Sequence, residues 1–131
     1  MPEDDEQIRA LITRWARAVH KGDIQAVLAD HAEDLLLYYV TPPHEGIRGL
    51  AAYRVLWPPF FAWQALGARF EIDTLDVVAG ADVAYAHALL RCGTPEELAE
   101  RPTLRLRLTF GLRKEHGRWV IAHEHHSFPH D

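Results

Sequence analysis

Apolar positions recur at helical spacing through the first third of the chain and at strand spacing through the second half. Ile8, Leu11, Ile12, Trp15 and Val19 fall every three or four residues, which predicts a helix over about residues 4–20 with one apolar stripe. Gly22 suits the end of that helix, and Asp23 suits the N-cap of a second one carrying Ile24, Val27 and Leu28 inward. "LLLYYV" (35–40) is an apolar run of strand length, closed by "TPPHEG", whose prolines and glycine demand a loop. From Leu50 a third helical pattern uses Tyr53, Leu56, Trp57, Phe60 and Phe61. Pro58 and Pro59 lack an N–H donor and predict a kink or an end there.

After Gly67 the period changes to two. "ARFEIDTLDVVA" (68–79) alternates, with a change of phase near Thr74 that predicts a bulge. "VAYAHALLRC" (83–92), "TLRLRLTFGLRK" (103–114) and "RWVIAHEHHSF" (118–128) follow, the first and last of the joining turns being short. "GTPEELAERP" (93–102) is longer than a hairpin needs and is expected to be a mobile connection, placed to gate a pocket. Strands so closely spaced pair as an antiparallel meander, so the class is α+β, with helices packed on a curved sheet in one domain spanning 1–131.

Composition narrows the function. The 131 residues are 48% hydrophobic, enough for a sizeable core. Fourteen basic and 19 acidic side chains give a net charge of −5 without any basic stripe, which argues against nucleic-acid partners. No apolar run approaches the ~20 residues of a membrane span. The acidic start "MPEDDEQ" is unlike a signal peptide, and Cys92 is the only cysteine. The expectation is a cytoplasmic protein, with Cys92 a buried strand residue and not a catalytic thiol.

Candidate chemistry concentrates near the C-terminus, in "HEHHSFPH". Unbroken alternation puts Trp119, Ile121, His123, His125 and Ser127 on one face of the last strand. Val120, Ala122, Glu124, His126 and Phe128 fall on the other. Arg105, Arg107 and Thr109 share a face opposite Leu104, Leu106, Leu108 and Phe110, while Tyr85, His87 and Arg91 align in the strand before. If the polar rows line the hollow of the sheet, His87, Arg107, His123 and His125 converge beneath Trp15, Tyr39, Trp57 and Phe61. An imidazole titrates near neutrality, so His123 or His125 is the expected proton carrier, and Arg107 the group that holds an anionic or carbonyl oxygen. Trp15, Tyr39, Trp57, Phe61, His87 and Thr109 are the expected substrate-binding residues.

Other readings compete for the same residues. His123 and His125 also have the spacing of a metal pair, with His87 or Glu71 as a third ligand, but no second spaced motif appears, so neither metal nor cofactor is expected. They also suit plain hydrogen bonding to Arg107, Thr109 or backbone. His44, His116, His126 and His130 read as solvated. Arg105 and Arg107 equally suit an outer-face network between two subunits, because a one-residue phase error exchanges the faces.

The ordered segments "IRALITRWARAVHKGDIQAVLADHAEDLLLYYV", "IRGLAAYRVLW", "DVAYAHALLR" and "LRLTFGLRKEHGRWVIAHEHHSFP" resemble the nuclear transport factor 2-like superfamily. That superfamily includes ketosteroid isomerase and the SnoaL-like polyketide cyclases. The last segment is similar to small SnoaL-like proteins that often end in a Trp-x-Ile-x-His-x-His-x-Ser strand, here Trp119 to Ser127. The resemblance implies a cone with three N-terminal helices on a strongly curved, mostly antiparallel sheet. It also implies a homodimer through the outer sheet face, a small-molecule ligand, and cofactor-free isomerase, cyclase or dehydratase chemistry. A non-catalytic ligand-binding or dimerisation module is the alternative. The isomerase machinery itself does not carry over. Trp15 stands at the position of its tyrosine, Tyr39 at that of its carboxylate base, and Thr109 at that of its second acid.

Overall fold

The first apolar stripe becomes the buried face of helix α1 (Pro2–Lys21) in the computed structural model, which describes residues 2–130. Ile8, Ile12 and Val19 are fully buried along it, with Leu11 and Trp15 nearly so. Gly22 leaves the helix at a positive φ of 74°, and the Asp23 carboxylate accepts the Ala26 N–H to start α2 (Ile24–Leu28). Strand β1 (His31–Tyr38) begins upstream of the predicted apolar run, and a two-residue β2 (Ile47–Arg48) pairs with it.

Helix α3 (Leu50–Gln64) continues past the two prolines, where a kink or an end was expected. Their missing N–H groups leave the carbonyls of Arg54 and Val55 without helical donors, and both residues are exposed, so water can serve them. The buried rings of Tyr53 and Trp57 hold the helix on the core meanwhile.

Strands β3 (Arg69–Ala79), β4 (Val83–Gly93), β5 (Leu106–Glu115) and β6 (Arg118–Ser127) form the expected antiparallel meander. Strand β1 then joins β6 in parallel, giving the sheet order β2-β1-β6-β5-β4-β3. The β3–β4 register shifts between Ile72 and Thr74, where the change of phase predicted a bulge. The expected mobile connection between β4 and β5 instead contains helix α4 (Pro95–Glu100). Thr94 Oγ1 accepts the Glu97 N–H at 3.2 Å, and Glu97 Oε1 accepts the Thr94 N–H at 3.0 Å, a reciprocal cap that Thr-Pro-Glu-Glu encodes.

A second bulge decides where the chemistry goes. Leu112 pairs with Ile121 and Gly111 with His123, so Ala122 is an extra residue on β6. A Cβ added at Gly111 would lie 3.3 Å from the Cβ of His123, so the strand crossing favours glycine there. Because of Ala122, Trp119 and Ile121 face inward and so do Glu124 and His126. The concave face packs Leu106, Leu108, Phe110 and Leu112 against the helices, with Trp15 edge-on to Phe110 and Phe70 at centroid separations of 5.4 and 5.6 Å. The far end of α1 is tied down by Asp4, which accepts from Trp119 Nε1 and pairs with Lys114, each at 3.0 Å. Among the described residues no helix is long and apolar enough to cross a membrane.

Candidate functional site

Between α3, α4 and the concave face lies a cavity of about 410 Å³. Tyr39, Trp57, Phe60, Trp63, Phe70 and Phe128 make its walls largely aromatic, and His126, Cys92, Glu97 and Arg101 are the polar groups set among them. Apolar walls with a few fixed polar atoms are the usual form of a small-molecule site.

His126 is held from behind. Its Nε2 lies 2.8 Å from Oε1 of Glu124, a carboxylate with no solvent exposure. The other oxygen, Oε2, is 2.7 Å from Nε2 of His31 and accepts the Tyr53 hydroxyl at 2.9 Å. Tyr53 in turn accepts the Trp15 indole N–H at 3.0 Å, and His31 Nδ1 lies 3.0 Å from the Ala29 carbonyl oxygen. Helix α1, α3 and the start of β1 therefore each supply one member of the cluster, and the post-bulge half of β6 supplies two.

Burial is the largest influence on Glu124 and raises its pKa. The hydrogen bonds from His126 and His31, together with imidazolium charge beside the carboxylate, outweigh it and bring the carboxyl down to about 2. Burial first, and then the Glu124 charge, keep the Tyr53 hydroxyl protonated well beyond its ordinary range. Tyr39 is pushed up to about 12, chiefly by burial, so at neutral pH it is a hydrogen-bond donor. Cys92 is also pushed up to about 12, by burial and then by the charge of Glu97, and so remains a thiol and a poor nucleophile. The Tyr39 ring stands edge-on to His126, with centroids 5.4 Å apart. Neither the Tyr39 hydroxyl nor His126 Nδ1 hydrogen-bonds to another described residue. The cavity thus carries a tyrosine hydroxyl and an imidazole nitrogen side by side, both available to a ligand.

The residues expected to carry the chemistry do come together, but on the convex outer face. Cross-strand pairing sets Asp76, His87, Thr109, His125 and Tyr38 in one row, with Gly111 and His123 in the next. His87 is 3.8 Å from Asp76, Arg107 Nε donates to Ser127 Oγ at 3.2 Å, and His123 Nδ1 meets the Leu36 carbonyl at 2.7 Å. His87, Arg107, Thr109 and His125 are exposed to solvent. The expectation that they line the hollow is corrected by two causes. The helices cover the apolar row of β5, and the Ala122 bulge shifts the histidines out of phase with Trp119 and Ile121.

Of the expected binding residues, Tyr39 and Trp57 line the cavity. Trp15 is buried behind it as the donor to Tyr53. Phe61 stacks on Trp57 at 6.0 Å but lies along a shallow groove beside Gly22 and Gln64. His126, read as solvated, is only 2% exposed. His31, Tyr53 and Glu124 were not anticipated as a group. The available signal was Phe128, an apolar residue in phase with Glu124 and His126. Among the described residues no group of three His, Cys, Asp or Glu side chains is arranged to hold a metal ion.

Comparisons with known proteins agree with this architecture. A family model described as a SnoaL-like domain matches residues 8–131. An NTF2-like protein of unknown function from Pseudomonas putida KT2440 is 32% identical, with 100% of this chain and 90% of that chain covered and a TM-score of 0.88. An NTF2-like protein with a cystatin-like fold from Novosphingobium aromaticivorans is 23% identical over 96% of this chain and 82% of that one, with a TM-score of 0.76. A candidate ketosteroid isomerase from Shewanella frigidimarina shares the fold at 19% identity, over 90% and 92% of the two chains, with a TM-score of 0.68. No curated protein matches the chain significantly. Helices, meander, parallel closure by β1 and the family match lead to one statement: the chain belongs to the SnoaL-like domain family, within the NTF2-like fold.

Proposed function

We propose that the aromatic cavity binds a small, flat, uncharged ring compound bearing a carbonyl or hydroxyl group, and that His126 exchanges a proton with it. The observation carrying this reading is the pairing of His126 Nε2 with a fully buried carboxylate. That pairing leaves Nδ1 as the ring's remaining nitrogen, in a cavity lined mostly by aromatic and aliphatic side chains. With a cyclic ketone, Nδ1 takes a proton from the carbon beside the carbonyl, and the C–H electron pair becomes a C=C bond. The carbonyl oxygen becomes an enolate oxygen that accepts a hydrogen bond from Tyr39. Return of the proton to the same carbon gives exchange, and in a β,γ-unsaturated ring its return to the γ-carbon completes an isomerisation. No metal or redox partner is needed for that balance. The test is hydrogen–deuterium exchange at the α-carbon of 2-tetralone in D₂O, followed by proton NMR. Exchange above the buffer rate that disappears in His126→Ala supports the reading. Binding without exchange would leave the non-catalytic module.

The reading includes a homodimer through the convex face. Val83, Tyr85 and Val78 are 62%, 51% and 51% exposed there, on a sheet whose other face is covered by helices. Light scattering is expected to give twice the chain mass for the parent and the single-chain mass for Tyr85→Glu, with the far-ultraviolet spectrum unchanged. A monomeric parent at micromolar concentration would contradict it.

A further inference from the structure

The geometry points to His31 as a buried positioning residue that carries both ring protons and, as counter-cation to Glu124, keeps His126 neutral with its lone pair on Nδ1. This deepens the proposed function, since it rests on His126 being the proton acceptor of the cavity.

Hydrogen-bond bookkeeping gives the assignment. The Ala29 carbonyl can only accept, so His31 Nδ1, at 3.0 Å, carries a hydrogen. The Tyr53 oxygen already accepts from Trp15, which commits its own hydrogen to Glu124 Oε2. Glu124 thus faces three potential donors, His31, Tyr53 and His126, and an ionised carboxylate satisfies all of them. His31 Nε2 must then carry a hydrogen as well.

Charge balance selects between the two imidazoles. A fully buried cluster holding one carboxylate is neutral only when one of its two rings is charged, and an unbalanced buried charge is costly. The titratable groups that face His31 are Glu124 at 2.7 Å and the Tyr53 ring, tilted by 34° with centroids 4.9 Å apart. Those in contact with His126 are Glu124 and Tyr39, and Cys92, Glu97 and Arg101 line the same cavity. Both nitrogens of His31 meet acceptors, whereas only one nitrogen of His126 does. The positive charge therefore sits on His31, and His126 is the ring left free to accept a proton from the cavity side.

Removing His31 has a specific consequence. With glutamine in its place the carboxylate loses its cation, and the nearest group able to supply one is His126. His126 would then hold two protons and cease to be an acceptor, even though it has kept every contact to the cavity.

Long-range ¹H–¹⁵N correlation spectra of the uniformly labelled protein, at neutral pH and without ligand, read this directly. In the parent, His31 is expected to show two protonated-type nitrogens, and His126 one protonated nitrogen (Nε2) and one pyridine-type nitrogen (Nδ1). In His31→Gln the pyridine-type signal of His126 is expected to be lost. A pyridine-type nitrogen on His31 of the parent overturns the assignment, as does a His126 pattern unchanged in His31→Gln. Should that variant fail to fold, the parent spectrum alone decides. Because no ligand is present, a failed ketone-exchange assay leaves this result standing, and the converse also holds.

Discussion

Glu124→Ala is expected to lower the free energy of unfolding by about 3–5 kcal/mol, the usual cost of removing one partner from a buried ionic network. The carboxylate is the common acceptor for His31, Tyr53 and His126, so its loss strands a buried cation and two further donors in the core. Glu124→Gln keeps the shape and one acceptor oxygen and is expected to cost less, about 1–3 kcal/mol. Urea denaturation followed by tryptophan fluorescence measures both. The dependence on pH has a definite sign. The folded carboxyl is depressed from the ordinary 4.5 to about 2, so its contribution is complete above 4.5 and is lost as the pH falls toward 2. Asp4 and Asp34 are also held low, Asp4 first by its bond from Trp119 and Asp34 first by its bond from Arg113, and they add to the same acid limb. The part that Glu124→Gln removes is the difference between the two pH curves. An alanine variant within about 0.5 kcal/mol of the parent, the range of inert surface changes, would show that the cluster holds no buried charge.

The second large effect is on proton exchange. His126→Ala is expected to slow exchange of 2-tetralone by about 10²–10⁴-fold, the ordinary contribution of a positioned general base. Tyr39→Phe, which deletes the donor at the developing enolate, is expected to cost about 10²–10³-fold. Both positions sit in a cavity wall, where a smaller or less polar side chain is tolerated more readily than at the Glu124 hub. His123→Ala and His125→Ala, whose rings lie on the convex face, are expected to leave the exchange rate unchanged. A rate that falls in those two variants and holds in His126→Ala would return the chemistry to the outer row.

That contrast also shows what could be read from the chain. Helical spacing from Ile8 to Val19, alternation in three strands and the bulge near Thr74 are local signals, and each is realised where it was expected. The site was half legible. Tyr39 and Trp57, expected over the hollow, do line the cavity, and His87, Arg107, His123 and His125, expected together, do share one face of the sheet. What failed was the face, because period-two reasoning turns over at any unpaired residue, and Ala122 announces itself by nothing in its own chemistry. The informative residues were its neighbours. Trp119 and Ile121 must be buried before the bulge and Phe128 half-buried after it, and those demands cannot share one phase. The prolines of α3 misled for a different reason. They remove hydrogen bonds to the carbonyls of Arg54 and Val55, exposed residues where water can take the place of the missing donors. The helix between β4 and β5 was legible in Thr94 and Glu97, three residues apart, but polarity was allowed to outweigh the cap.

The most direct measurement is a titration of the labelled protein with 2-naphthol, a flat two-ring hydroxy compound, following the imidazole carbon-bound proton resonances of all histidines. Saturable shifts at His126, while His87, His123 and His125 stay fixed, are the predicted result. Shifts confined to the three convex-face histidines, with His126 unmoved, would contradict a cavity in which His126 meets the ligand.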